Sequence, residues 1–500
     1  MSGSVKRVTV AGPVLEQPRQ ALLSRPVLAV LTVVVLGALA EWIPALSKVR
    51  VFSAPEAAET VAGVAPPVLE EGEATLELET TERPELAQPE DLKLPTGSRG
   101  PIAKSTAAAA PIDVEAPPVP IDDPTGKALV GFFEAVARTK RKEPAAITRV
   151  AHFGDSIVTS DYVSGTLRRK LQQELGDAGH GFMLMANAWP AYFHNDVSRF
   201  ASAGWSVSRI VGPLTPDGLY GIGGVTFRAP PGSRARFGTA RQGSYGRAVS
   251  RFVVAYLAQP AGGTLRLNLN GKPLRDVDTA SAEVGVRYET VLVPDGAHEL
   301  EVVTVRGVTR AFGVVMERDV PGAVLDAIGI QGARIRFLDK QDDEHWAEQL
   351  RWRSPDLVIY QFGANESGDG FAYPMDDYRR TMIDVLQQGR RALPGAGCLV
   401  VGAMDRAEKV GGSLRSMPVI AAIVKEQRVA AREVGCGFFD TLKAMGGPGS
   451  MAAWVERGLG QADLTHPTGS GSEVLASWLY RALMQAYSAW ATSAQPASQP

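Results

Sequence analysis

Ile147-Thr148-Arg149-Val150-Ala151-His152-Phe153-Gly154-Asp155-Ser156 is the stretch from which the rest of the chain can be read. The run from Ile147 to Phe153 predicts a buried strand, and Gly154 marks the turn that ends it. Beyond Ser156 the period changes: Val163, Leu167, Leu171 and Leu175 recur every four residues and predict an amphipathic helix. Strand, turn and helix in that order predict a parallel sheet, with Ser156 delivered to its C-terminal edge, where open α/β sheets place their ligand sites. A serine there is a candidate nucleophile, given a base to take its proton and an acceptor to orient that base.

Candidates for those two roles lie far downstream in Asp463-Leu464-Thr465-His466, just before Pro467 and the last predicted helix. Two further strands end in suggestive loops. DLVIYQF, Asp356 to Phe362, runs into Gly363-Ala364-Asn365-Glu366, and VLDAIGI, Val324 to Ile330, runs into Gln331-Gly332-Ala333. Taken singly, each residue has an ordinary reading. Gly154 and Gly332 suit turns, Asn365 and Glu366 suit a cap, and a lone His466 suits a structural histidine. The ordered combination is what points to chemistry.

Four loops after four strands, in this order, resemble the SGNH (GDSL-type) hydrolase superfamily. The resemblance implies that Ser156 is the nucleophile, His466 the base and Asp463 the acid that orients it. It also implies an oxyanion hole made of the Ser156 N–H, the Gly332 N–H and the Asn365 amide, since a carbonyl under attack needs fixed donors for its developing charge. No cofactor is implied. The other histidines, His152, His180, His194, His298 and His345, have no ligand-like spacing, so no metal is predicted.

With 45% hydrophobic and 21% charged residues, 500 residues can bury a large core, and a net charge of -2 gives no reason to expect a nucleic-acid partner. Pro26 to Leu46 is apolar except for Glu41 and follows Lys6, Arg7, Arg19 and Arg25. This predicts a transmembrane signal anchor with a cytoplasmic leader at 1–25, a cleaved signal peptide being the alternative. Either exports the remainder, and the anchored form would be a single-pass inner-membrane protein with its catalytic part in the periplasm or cell envelope. Residues 47–125, dominated by Pro, Ala, Glu and Thr, read as a disordered linker, and 491–500 as a disordered tail.

The hydrolase domain is expected in two parts, 126–204 and 321–490. Its first helix is predicted at Gly126 to Lys142, and later ones at Glu344 to Arg353, Asp376 to Leu393, Pro418 to Val434 and Ser472 to Trp490. Alternation of helix and strand predicts a doubly wound parallel sheet. Between the parts, about 205–320, helical periodicity stops. RFVVAYLA, GTLRLNLNG, YETVLVP, HELEVVTV and FGVVME alternate with turn signals, among them Asn270-Gly271, and predict an inserted β-sandwich or jelly roll of about eight strands. Cys398 and Cys436 open two apolar runs read as neighbouring strands; a disulfide and two buried thiols are both open readings.

An SGNH hydrolase interrupted after its first block by a carbohydrate-binding-like sandwich resembles the bacterial peptidoglycan O-acetylesterases. It departs from them at Ile157-Val158, where relatives often carry polar residues. The resemblance implies an O-acetylated glycan as partner, peptidoglycan foremost, beside the membrane met through the N-terminal helix. The expected activity is a serine acetylesterase. An O-acetyltransferase acting on an exported polysaccharide and a non-catalytic wall-binding protein are the alternatives.

Overall fold

The computed structural model describes residues 119–494. The expected anchor at 26–46, its leader and nearly all of the expected linker lie outside the described residues. Among those described, no helix is long and apolar enough to cross a membrane.

Five strands, Ile147–Gly154, Gly322–Gly329, Leu357–Gln361, Gly397–Val401 and Gly437–Phe439, form one sheet in which every neighbouring pair is parallel. Counted along the chain their spatial order is 2-1-3-4-5, a doubly wound arrangement in which the direction of winding reverses at the first strand. Successive strand residues feed opposite faces. Val150, Leu325, Ile359, Leu399 and Val401 pack on the side of helices Val130–Lys140, Val163–Leu175 and Gly469–Ala494, which contribute Phe132, Leu167, Leu171, Leu475 and Leu479. Phe153, Val358, Tyr360 and Val400 pack against helices Asp343–Arg353, Met375–Ala392 and Pro418–Val434 through Trp346, Leu350, Met382, Val385 and Ile423.

Local signals place the helix ends. Met375–Ala392 carries Asp376 and Asp377 in its first turn and Arg390 and Arg391 in its last, complementing the helix dipole. Pro418–Val434 has proline at its first position and stops at Gly435, whose φ of 78° is the left-handed conformation of a C-terminal cap. The first helix begins at Val130, later than the expected Gly126, and the last continues through Trp490 into the expected tail, to Ala494.

The insert is a sandwich of two antiparallel sheets, six strands in one and five in the other, against the eight or so expected. Phe227, Phe252, Val254 and Val314 of the first face Phe237, Leu265, Leu267, Leu300 and Val302 of the second, in a core continuous with that of the parallel sheet. Asn270 and Gly271, at φ 51° and 75° as a primed hairpin turn requires, join strands Thr264–Leu269 and Lys272–Asp278. Sandwich strands start earlier than the expected 205. Gly181–Leu184 pairs with Thr309–Glu317, and Val197–Ala201 pairs with Arg234–Thr239. These strands are too short to carry a period of their own, and their register comes from partners more than a hundred residues away for the first and from the sandwich for the second.

A buried ion network ties the insert to the sheet. Glu317, ending the last sandwich strand, accepts from Arg149 (3.0 Å), Arg353 (2.5 Å) and Arg251. Arg353 also reaches Asp326 at 2.7 Å. Burial works against ionisation of Glu317, but the guanidinium groups of Arg353, Arg149 and Arg251 outweigh it and hold its carboxyl far below the usual range. Cys398 and Cys436 are joined by a disulfide, so the pairing and not the two free thiols is what the fold adopts.

Candidate active site

Gly154 lies opposite Gly329 on one side and Gln361 on the other. The loops that follow these three strands therefore leave the same edge side by side, at the point where the winding reverses. Backbone bonds hold them there: Ile330 N–H donates to the Gly154 carbonyl at 2.9 Å and Asp155 N–H to the Gln361 carbonyl at 3.3 Å.

Ser156 opens a single helical turn, Ser156–Thr159. A Cβ on Gly154 would stand 2.4 Å from Cγ2 of Val158 and 2.9 Å from the Gln361 carbonyl oxygen, so glycine is needed for the chain to turn this tightly. Asp155 caps the turn by accepting from Ile157 N–H at 3.1 Å. The N–H of Ser156, at the start of the turn, donates to no group among the described residues.

Ser156 Oγ lies 2.7 Å from Nε2 of His466, and Nδ1 of the same ring lies 2.6 Å from Oδ2 of Asp463. The other Asp463 oxygen accepts from the N–H groups of Thr465 (2.9 Å) and His466 (3.0 Å), which closes the D-x-x-H segment into a compact turn. Leu464, between them, takes a left-handed φ of 61°. Burial resists ionisation of Asp463, yet the hydrogen bonds from His466 and Thr465 prevail and bring its carboxyl down to about 2. The hydrogen bond to Asp463 in turn raises the His466 imidazole above its ordinary value, against partial burial. An imidazole with Nδ1–H held by a carboxylate presents its Nε2 lone pair to the serine hydroxyl.

Gly332 sits at φ 77° and its N–H donates to no described group. The Asn365 side chain donates one N–H to the Ala333 carbonyl at 2.9 Å, which stitches the second loop to the third and leaves its second N–H without a described acceptor. All five residues singled out in the sequence thus stand on loops at one sheet edge. Ser156, His466 and Asp463 are in hydrogen-bond contact, and Gly332 and Asn365 occupy the two loops flanking Ser156.

Other participants take their roles from tertiary neighbours. Arg406 bonds both the Asp463–His466 turn and the Asn365 loop. Beneath the loops lie two carboxyls. Burial raises Asp155 to about 6 and Glu366 to about 7, where the nearby Asp155 charge adds to the effect of burial. Glu366 Oε1 accepts from Ile335 N–H at 2.9 Å, while its Oε2 and Asp155 Oδ2 have no partner among the described groups. Asp155 and Glu366 stand within the loops singled out in the sequence, but their burial is set by tertiary neighbours, and Arg406 lies in no motif.

The other histidines stand apart. His152 is buried against Gln361 at 2.9 Å and burial lowers it to about 4. His180 and His194 are joined at 2.9 Å, and with Asp161 they bring possible ligand atoms within 4.8 Å of one another. Asp161 does not suit a cation, because both its oxygens are held by Arg168, Ser164 and the Asn195 N–H.

Residues 297–474 match the GDSL-like Lipase/Acylhydrolase family. That span holds Gly332, Asn365, Asp463 and His466 and starts after Ser156, which the insert displaces towards the N-terminus. The fold and the matched segment of this chain are similar to those of SGNH-type hydrolases, which supports an esterase. Its fold resembles that of a solved peptidoglycan O-acetylesterase, 22% identical with a TM-score of 0.63, over 74% of this chain and 99% of that one. A family two carbohydrate esterase from Cellvibrio japonicus is 12% identical with a TM-score of 0.24, over 58% of this chain and 98% of that one. No curated protein matches the sequence.

Proposed function

We propose that this protein is a serine esterase that removes O-acetyl groups from a cell-wall glycan, peptidoglycan foremost, through Ser156, His466 and Asp463. The observation that carries the reading is the continuous chain from Ser156 Oγ through both ring nitrogens of His466 to Asp463, with links of 2.7 and 2.6 Å. In the first step His466 Nε2 takes the hydroxyl proton as Oγ bonds to the acetyl carbon. The tetrahedral oxyanion is met by the Ser156 and Gly332 N–H groups and the free N–H of Asn365. Collapse breaks the bond to the sugar oxygen, which leaves with the proton from His466, and an acetyl group remains on Ser156. Water, giving its proton to the same Nε2, then releases acetate and restores the serine.

Support for a glycan substrate comes from the likeness in fold to the peptidoglycan O-acetylesterase, and from the shape of the insert's boundary with the hydrolase. A cleft of about 630 Å³ lies there, lined by Arg169 and Lys170 of one helix and by Arg241 and Tyr245 of the sandwich. Asp196, paired with Arg169 at 3.2 Å, and Glu473 line it too, and such a mixture of donors and acceptors suits a hydroxyl-rich polymer. The same reading places the enzyme in the cell envelope, anchored through 26–46; the Cys398–Cys436 disulfide supports an oxidising compartment.

The test is acetate release by the full-length protein from O-acetylated peptidoglycan, acetylated xylan and an aryl acetate, beside Ser156→Ala. Preference for peptidoglycan, lost in the variant, is the expected result. Transfer of acetyl to an added glycan in place of acetate release would mark a transferase, and no turnover of any ester would contradict the proposal.

A further inference from the structure

The strand Gly397–Val401 is followed by a hairpin, Ala407–Val410 paired with Ser413–Ser416, that the sequence did not announce. Its root is built into the site. Ala407 N–H donates to the carbonyl of Leu464 at 3.0 Å, inside the Asp463–His466 turn, and Met417 N–H closes the hairpin base on the Arg406 carbonyl at 2.8 Å. This fixes the backbone of Arg406 between two loops that share no strand. Its side chain spans them: Nε donates to Thr465 Oγ1 at 3.0 Å, and one terminal nitrogen donates to the Ala364 carbonyl at 3.0 Å and to Ser367 Oγ at 2.9 Å. Thr465 precedes the base His466, and Ala364 precedes the amide donor Asn365.

We infer that Arg406 is a positioning residue that sets the base-bearing turn in register with the oxyanion loop, so that His466 and Asn365 address the same reacting carbonyl. The inference rests on the esterase reading for its kinetic part and on geometry alone for the rest. The two loops come from opposite ends of the hydrolase's second part, and no backbone bond joins Thr465 or His466 to residues 363–367. A planar guanidinium with three donors in a fixed fork holds both, which an ammonium on a flexible stem cannot reproduce. The charged groups facing the His466 ring are Asp463 on its own turn, Asp155 from the nucleophile turn and Arg406 from the hairpin root. Arg406 is the one cation among them and opposes the two carboxylates that favour the imidazolium.

The experiment compares Arg406→Gln and Arg406→Lys with the wild type in the full chain, on an aryl acetate, with Ser156→Ala as blank. Misplacing a base by a fraction of the reacting distance lowers kcat, so R406Q is expected to lose about 10²-fold in kcat with KM within about twofold. R406Q is also expected to move the acidic limb of kcat/KM to higher pH, because the opposing cation is gone. R406K keeps that limb near the wild-type position and still loses kcat. A second readout needs no turnover: the titration of the His466 ring followed by NMR with labelled histidine, assigned with His466→Ala, shifts upward in R406Q and not in R406K. An R406Q enzyme within about threefold of the wild-type kcat, or a kcat loss matched by the unfolded fraction with the titration unmoved, would overturn the inference. Should the wild type not exceed the Ser156→Ala blank, the esterase reading falls, and the NMR titration still decides the place of Arg406.

Discussion

Ser156 Oγ and His466 Nε2 are 2.7 Å apart although 310 residues separate them in the chain. The parallel sheet makes that contact. Its first strand supplies Ser156 at the edge where winding reverses, and the turn before the final helix returns His466 to the same place.

In the proposed mechanism Asp463 acts on Ser156 through the imidazole, which it meets at 2.6 Å. Asp463→Asn keeps the acceptor for the Thr465 and His466 N–H groups and loses the charge that selects the tautomer. A fall in kcat of about 10²–10⁴-fold with little change in KM is expected, read by initial rates on an aryl acetate. Equal losses in kcat and folded fraction would instead mark Asp463 as structural.

The pH profile follows from the raised imidazole. His466 must be neutral to accept the proton, and its hydrogen bond to Asp463 favours the charged form. Activity is therefore expected to fall as pH drops through a value above that of an ordinary histidine, and in Asp463→Asn the residual activity should extend to lower pH. A profile of kcat/KM that stays flat to well below that of a free imidazole would contradict the assignment of the base.

Glu366 predicts an effect on stability. Its folded-state value is raised, to about 7, by burial and then by Asp155. A raised carboxyl destabilises the fold only when the unfolded chain can ionise, so the penalty is absent at acid pH and grows from the unfolded value near 4 up to the folded one. Relative to Glu366→Gln, the wild type should lose about 3–4 kcal/mol between pH 4 and pH 8, measured by denaturant titration at both. A constant difference would show that Glu366 ionises normally.

Arg353 holds Glu317 and Asp326 in the interior at 2.5 and 2.7 Å. Arg353→Met leaves two buried carboxylates short of a partner and is expected to destabilise by about 3–5 kcal/mol. Arg353→Met with Asp326→Asn removes one of the two uncompensated charges while Glu317 keeps Arg149 and Arg251, and should recover part of that loss; no recovery would mean that packing and not charge is decisive there.

The cleft beside the insert gives a prediction that separates polymer from small ester. Arg241→Ala with Tyr245→Ala should raise KM for O-acetylated peptidoglycan about tenfold and leave aryl acetate kinetics unchanged, the signature of lost ground-state binding. Loss on both substrates would place these residues nearer the chemistry.

Much of this was legible in the chain. The run of Ile147 to Phe153 and the four-residue spacing from Val163 to Leu175 define the first strand and its crossover helix, and the D-x-x-H spacing alone brings Asp463 and His466 together. What could not be read depends on distant partners. The strand Gly181–Leu184 acquires its role by pairing with Thr309–Glu317, and the hairpin rooted at Arg406 is too short and polar to stand out. Arg406 lies in no motif, and the burial that raises Glu366 and Asp155, though both stand in the loops singled out in the sequence, depends on what surrounds them. The number of sandwich strands was underestimated for the same reason, since short edge strands look like loops until a neighbour pairs with them.

In the proposed reaction Ser156 carries the acetyl group during turnover, and acid quenching during hydrolysis of an aryl acetate followed by peptide mass mapping decides whether it does. An acetyl adduct on the peptide that contains Ser156, absent from Ser156→Ala and accumulating when deacylation is slowed at low pH, is the predicted result. Sustained turnover with that serine unmodified at every quench time, or an adduct on another residue in its place, would contradict it.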